Sequence, residues 1–362
     1  MKNLAGIFVV ALLLLAVGSP SRAQEGSTRA EFECLSLANS NSRAAAGTVS
    51  PFVSYHHVWT PGLDYGSFQS NGLNLIYETQ GTSNDVVIVI HGGAGLPHEY
   101  FHPMLYNLSR YAKLVFFDRR ADMLSATAGH GMASIEEMAD DVDALRKALG
   151  LERVTLLGHS FGATIALNYA LRYPSSVKRL ILVSAAAAVE NPAEGEKRIL
   201  KKLSAGEMAT YRSSEGTTGA MKPCDRVRAR YSVLYPHYFH KLVPYEFERG
   251  VYTVYFDALS KKQALATGSA ALDVRGKLAG LQVPALVIAG RHDLVTPPDQ
   301  SFELAGSLPK SRLVLMEHSG HFPFFEENYL FTEWVHGFML ATSSQQDDRI
   351  IRSVSDSSGG AH

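Results

Sequence analysis

Leu156-Leu157-Gly158-His159-Ser160-Phe161-Gly162 is the stretch on which the reading of this chain turns. An apolar run, residues 153–157, leads into it, and small, helix-compatible residues, 163–169, lead out. The Gly-x-Ser-x-Gly segment therefore falls between a strand and a helix. A serine at such a turn has a strained backbone that lifts its hydroxyl above the sheet, and the flanking glycines let strand and helix pass closely. The N–H of Phe161 then points to where a carbonyl oxygen would become an oxyanion, with the positive end of the helix behind it. Gly-x-Ser-x-Gly alone is a weak signal, but a strand before and a helix after make it a candidate nucleophile elbow.

Working outward, residues 86–90 are a continuous Val/Ile run, the mark of a strand buried on both faces of a parallel sheet. The run ends in His91-Gly92-Gly93-Ala94-Gly95, where backbone N–H groups can approach a ligand, so Gly93 is a candidate second oxyanion donor. Before it, residues 68–70 and 73–78 flank Asn71-Gly72, a type I′ hairpin signal. A helix over about 97–111 and a strand over 114–117, ending at Asp118-Arg119-Arg120, are expected next. Ser134-x-x-Glu137 is a capping box, and Ile135, Met138, Val142, Leu145 and Leu149 recur at helical spacing until Gly150. Strands at 180–183, 285–289 and 313–316 and a helix at 326–340 complete the alternation, which specifies a doubly wound, mostly parallel α/β sheet.

With 362 residues, 46% hydrophobic and 19% charged, the chain can bury one large core carrying an insertion. A formal net charge of −1 gives no electrostatic case for nucleic acid. Lys2, the apolar run 4–17 and Ser21-Arg22-Ala23 read as a signal peptide cleaved after Ala23, too short and wrongly flanked for a membrane span. An uncleaved anchor is the rival reading. The mature chain is expected to be secreted or periplasmic, with residues 24–66 an irregular leader, 67–185 and 274–341 the core, and 342–362 a disordered tail. Residues 186–273 break the strand–helix rhythm and are expected to form a helical lid, whose aromatics either line a pocket or pack a small core of their own. Cys34 and Cys224 are either one disulfide or two separate thiols.

A nucleophilic serine needs a base for its proton and an acid to hold that base in one tautomer. Such groups gather at the carboxyl ends of strands. Ser160, Asp293 after strand 285–289, and His321 after strand 313–316 occur there in the order Ser, Asp, His. Asp118 also follows a strand but precedes the serine, which breaks the order. His318 competes with His321, and the tight turn of Gly320-His321-Phe322-Pro323 favours His321. His159 reads as packing or solvent-facing.

At these residues the chain, from about 68 to 340, resembles the α/β-hydrolases and, within them, the proline iminopeptidase branch of the serine hydrolases. The matching segments are His91-Gly92-Gly93-x-Gly95, Asp118-x-Arg120, Gly158-x-Ser160-x-Gly162, Asp293 after a Gly-x-x-Asp run, and Gly320-His321-Phe322-Pro323. The resemblance implies Ser160 as nucleophile, His321 as base, Asp293 as orienting acid, and N–H groups near Gly93 and of Phe161 as the oxyanion hole. The chain departs from the branch at Ala94, where proline is usual, at Ala121 and Met123, where glycines are usual, and at Phe161, often tryptophan. Aminopeptidases of this branch bind the substrate's free amine with lid carboxylates, for which Glu246 and Glu248 are the candidates. The implied substrate is a small ester or N-terminal peptide, with carboxylesterase or lactonase action the alternative to aminopeptidase action.

Two other classes compete. His98-Glu99-Tyr100-Phe101-His102 matches H-E-x-x-H, the zinc-peptidase spacing. It is set aside because the other motifs already complete a metal-free mechanism, so no metal or cofactor is expected. A non-catalytic binding protein on the same scaffold is the third class, and the presence of all three triad residue types argues against it.

Overall fold

The computed structural model describes residues 63–93, 98–119, 134–215, 223–241, 272–341 and 351–354. The signal segment, Cys34, Ala94, Ala121, Met123, Glu246 and Glu248 lie outside the described residues, and of Cys224 only the backbone is described.

The chain opens with an antiparallel hairpin, β1 (Leu63–Ser70) and β2 (Leu73–Gln80). Asn71 and Gly72 turn it with φ of 47° and 80°, the two positive values that a type I′ turn requires. The strands β3 (Val86–Ile90), β4 (Lys113–Phe117), β5 (Val154–His159), β6 (Val177–Val183), β7 (Ala285–Gly290) and β8 (Ser311–Met316) pair in parallel. A short β9 (Ile351–Val354) closes one edge, and the full order is β1-β2-β4-β3-β5-β6-β7-β8-β9. The doubly wound α/β sheet expected from the strand and helix alternation is the fold of this protein.

Helices cover both faces, and the strand residues divide between them with period two. On β3, Ile88 and Ile90 join one apolar core while Val87 and Val89 join the other. The first core holds Met138, Val142 and Leu145 of α1 (Ile135–Ala148), Ile165 and Tyr169 of α2 (Phe161–Arg172), and Leu304 of α6 (Pro298–Ser307). The second holds Phe331, Val335 and Phe338 of α7 (Asn328–Leu340). Each fully buried Val, Ile, Leu or Phe side chain contributes roughly 1.5–3 kcal/mol, so the central strands anchor the loops that leave their ends. At the start of α1 the capping box is formed: Ser134 Oγ accepts the Glu137 N–H at 3.1 Å and Glu137 Oε2 accepts the Ser134 N–H at 2.8 Å.

Between β6 and β7 lie α3 (Pro192–Leu200), α4 (Ala205–Glu215) and α5 (Pro223–Leu234). The two ends of this insertion are tied together: Ala188 bridges Asp273, and the Val189 N–H bonds Leu272 O at 2.8 Å. The insertion therefore leaves and re-enters the sheet at one place.

Three expectations need correction. Residues 98–110 form no single helix but a 3-10 turn (His98–Phe101), one helical turn (His102–Leu105) and another 3-10 turn (Leu108–Arg110). Pro103 has no N–H to donate and is tolerated only in a first turn, so the chain must restart there. The last helix is interrupted at Glu327 (φ −124°, ψ 50°), after a short turn at Pro323–Glu326. The tail expected to be disordered contains β9, which pairs in parallel with β8 from Leu313↔Ile351 to Met316↔Val354. An otherwise open edge beside a short β-branched segment accounts for that pairing.

Candidate active site

β5 runs directly into the elbow. Ser160 has φ 52° and ψ −120°, a conformation costing about 1–3 kcal/mol in a non-glycine residue. The turn is held because the Ser160 N–H bonds Val183 O at the end of β6, at 2.8 Å. The flanking glycines are steric requirements. A Cβ on Gly158 would lie 2.6 Å from Ala163 Cα, and one on Gly162 would run into the carbonyl oxygen of Ile90. Gly92 passes just as close, since a Cβ there would meet His159 Nδ1 at 2.8 Å and Ser160 Cβ at 3.0 Å. The loop carrying Gly93, with φ 58°, thus lies against the elbow.

Asp293 and His321, which follow β7 and β8, are brought together: His321 Nδ1 and Asp293 Oδ2 are 2.8 Å apart, with both side chains buried. The other oxygen of Asp293 accepts the N–H groups of Val295 (2.8 Å) and Thr296 (2.9 Å), which fixes the position of the carboxylate. The His321 N–H donates to Tyr238 O in the insertion at 2.6 Å. A Cβ on Gly320 would collide with that same carbonyl, so the loop needs glycine there. The competing residues are placed elsewhere. His318 is exposed, and Asp118 bonds His98.

His159 belongs to this site in a way its sequence did not show. It is 1% exposed, not solvent-facing, and its ring centroid lies 4.8 Å from that of His321. One tautomer satisfies all its contacts. Nε2–H donates to His321 O at 2.9 Å, Nδ1 accepts from the Tyr100 hydroxyl at 2.8 Å, and that hydroxyl oxygen accepts the Gly92 N–H at 2.7 Å. Burial, with the nearby His321 ring, holds His159 well below the ordinary imidazole pKa, which keeps this neutral form. A continuous chain of hydrogen bonds thus links the glycine loop, the elbow and the histidine loop.

Two charged residues brace the same region. Arg119, fully buried, donates to Gly93 O and lies 5.4 Å over the Phe161 ring, joining the two candidate oxyanion-hole residues. Glu326 accepts the N–H groups of Gly320 (2.6 Å), His240 (2.7 Å) and Lys241 (3.3 Å), tying the histidine loop to the insertion. Burial pushes its pKa up to about 7 against the opposing effect of those bonds. No local motif marks either residue. Their signal is long-range contact.

The described aromatics of the insertion mostly pack. Tyr211 sits in a small core with Ile199, Val233 and Leu234, and Tyr235 and Phe239 join the Phe322–Phe324 side of the sheet. Tyr238 is the one of these whose ring faces His321, at 6.0 Å and nearly perpendicular. The two histidines of the H-E-x-x-H segment also come together, but with Glu78 of β2 as their carboxylate neighbour, at 3.2 Å from His98 and 3.0 Å from His102.

A mostly parallel sheet with the β1-β2-β4-β3-β5-β6-β7-β8 order and a strained serine turn after β5 defines an α/β hydrolase. The model of the alpha/beta hydrolase fold family matches residues 85–328, more than half of the chain, and the chain belongs to that family. It is 26% identical over 311 residues to a proline iminopeptidase of Saccharolobus solfataricus, covering 79% of this chain and 97% of that one. It is 30% identical over 245 residues to the AB hydrolase superfamily protein YisY of Bacillus subtilis, covering 67% and 86%. Among solved structures, the enol-lactonase from Burkholderia xenovorans superposes with a TM-score of 0.57 at 23% identity, over 76% of this chain and all of that one. The chain is a hydrolase.

Proposed function

We propose that this hydrolase is an exported serine enzyme that cleaves an ester or amide bond through an acyl-enzyme. The observation that carries the reading is the buried His321–Asp293 pair on the strand ends next to the Ser160 elbow. Asp293 holds the Nδ1–H of His321, which leaves Nε2 to take the Ser160 proton as Oγ attacks the substrate carbonyl. The developing oxyanion is met by the N–H groups of Gly93 and Phe161. His321 returns the proton to the leaving alcohol or amine, and a water activated by the same nitrogen releases the acid and restores Ser160. The insertion serves as the lid, with Tyr238 at its active-site end. Export is supported by Lys2, the apolar run 4–17 and the cleavage site after Ala23. Among the described residues no helix is long and apolar enough to cross a membrane.

Aminopeptidase action of the proline iminopeptidase kind is the first substrate reading, supported by the relative named above. It requires carboxylates for the substrate's ammonium group, whose burial the bound charge offsets. Glu246 and Glu248 are the proposed pair. A specific observation favours the second reading, carboxylic ester or lactone hydrolysis: five described insertion carboxylates, Glu190, Glu194, Glu196, Glu207 and Asp273, already have basic partners. Glu190 bonds Arg198 at 2.6 Å, Glu196 bonds Arg230 at 2.6 Å, and Glu207 bonds His237 at 3.0 Å. A panel of prolyl amides, their N-acetylated forms and short acyl esters separates the readings. Release of N-terminal proline that is abolished by acetylation supports the first. Efficient cleavage of simple esters and N-acetylated amides, with no proline release, replaces it with the second.

A further inference from the structure

Glu78, His98 and His102 form a second cluster of buried donors, which the acyl-transfer reaction does not use. Glu78 comes from β2, His98 begins the 3-10 turn after the glycine loop, and His102 begins the next helical turn. All three are nearly inaccessible, at 6%, 2% and 0% exposure. The two imidazoles stand edge to face with centroids 5.1 Å apart, and one ligand atom from each of the three residues lies within 4.8 Å of the others.

We propose that these three residues bind a divalent transition-metal ion, of which zinc is the one tested. Zinc bonds imidazole nitrogen and carboxylate oxygen at about 2.0–2.2 Å, so tetrahedral donors stand roughly 3.4 Å apart. His98 Nε2 and His102 Nε2 lie 3.2 and 3.0 Å from Glu78 Oε2, a separation that a small outward movement converts into a coordination shell. The tautomer of His98 points the same way. Its Nδ1 lies 2.8 Å from Asp118 Oδ1, which also accepts the His98 backbone N–H at 3.1 Å. With the proton on Nδ1, Nε2 turns its lone pair toward Glu78 Oε2, a contact that a cation between them would stabilise. Metal-ligating histidines usually have their other nitrogen oriented by a carboxylate in this way.

Charge and donor chemistry agree with this. Glu78 is a buried carboxylate against two imidazoles, and a cation held among the three would offset its charge. Imidazole nitrogens suit zinc far better than magnesium or calcium, which take oxygen ligands. The glutamate inside the H-E-x-x-H segment is not needed, because Glu78 reaches the histidines from another strand. Such an ion would be structural. It would brace the 3-10 turn whose Tyr100 hydroxyl holds the Gly92 N–H beside the elbow. The competing occupant is a proton, which would make the cluster an imidazolium–carboxylate network.

The test uses the full chain without a histidine tag, purified from zinc-supplemented cells, in the wild type and in Ser160→Ala so that the result is independent of hydrolysis. Elemental analysis is expected to find about one zinc per chain in both, falling at least tenfold in His102→Gln and in Glu78→Gln. Since either variant could fold poorly, wild-type chain is also unfolded with a chelator and refolded with cobalt. Intense visible absorption from tetrahedral cobalt, together with a rise in melting temperature, is the expected result. Metal-free wild-type protein that also refolds without taking up cobalt would overturn the proposal in favour of the proton. Full zinc content in both variants would overturn it equally.

Discussion

Among the described residues one local unit occurs twice, a buried histidine whose Nδ1 bonds a carboxylate oxygen at 2.8 Å: His321 with Asp293, and His98 with Asp118. The imidazole and its carboxylate are alike in the two, and their surroundings are not. His321 lies beside the elbow, its backbone carbonyl bonded by His159 and Ser184 and its N–H by the insertion. His98 faces a second carboxylate and a second imidazole inside the fold. A carboxylate at Nδ1 fixes an imidazole's tautomer and direction in either place, and what stands before Nε2 then decides the chemistry. Beside a serine the proposed role is that of a base, and before a glutamate and another histidine it is that of a ligand.

Removing the orienting charge from each unit in turn separates their roles. Asp293→Asn is expected to lower kcat/KM by about 10⁴, because the amide favours the wrong imidazole tautomer, while the fold is retained. Asp118→Asn is expected to act on the other unit, weakening metal affinity roughly 10–100-fold and leaving kcat within about tenfold of wild type. Steady-state kinetics and metal titration on both variants check the pair. A large kcat loss in Asp118→Asn would mean that the two units share one function.

A smaller effect is expected along the link between them. Tyr100 sits on the turn that carries His98, and its hydroxyl is the common point of the Gly92 and His159 bonds. Tyr100→Phe leaves the Gly92 N–H and His159 Nδ1 without this partner, at about 1–3 kcal/mol of stability, and lets the glycine loop drift. The expectation is a 10- to 100-fold fall in kcat with KM little changed, the mark of an interaction made mainly in the transition state. A changed KM at constant kcat would place Tyr100 in substrate binding instead.

The smallest effect concerns Glu326. Its pKa rises from 4.5 unfolded to about 7 in the fold, so the folded state binds the extra proton between these values. The stabilisation is fully present below about 4.5 and is lost as pH rises through about 7, on the order of 3 kcal/mol in all. Denaturant unfolding from pH 4 to 8 should show this loss in the wild type, and Glu326→Gln should flatten it. Parallel curves for the two proteins would contradict the assignment.

What could be read from the sequence was local. The β1–β2 turn, the α1 capping box and the buried strand runs each declare themselves within a few residues, and the sheet follows from their alternation. The placement of Ser160, Asp293 and His321 on strand ends follows from the same alternation. Arg119, Tyr100, Glu326 and the role of His159 did not show, because each acts through partners distant in sequence: Glu326 reaches His240, and Tyr100 reaches His159. His98 and His102 were visible as a pair, but Glu78, on another strand, was not. The broken 98–110 segment carried its signal in Pro103, which the expectation of one helix over about 97–111 did not weigh. The β9 segment was hidden by the polar residues flanking it.

The central claim is that Ser160 is the nucleophile. A fluorophosphonate probe applied to the folded protein, followed by peptide mapping, tests it without knowledge of the substrate. One adduct per chain at Ser160, absent from Ser160→Ala and strongly slowed in Asp293→Asn, is the predicted result. Labelling at another serine, or hydrolysis undiminished in Ser160→Ala, would contradict the account.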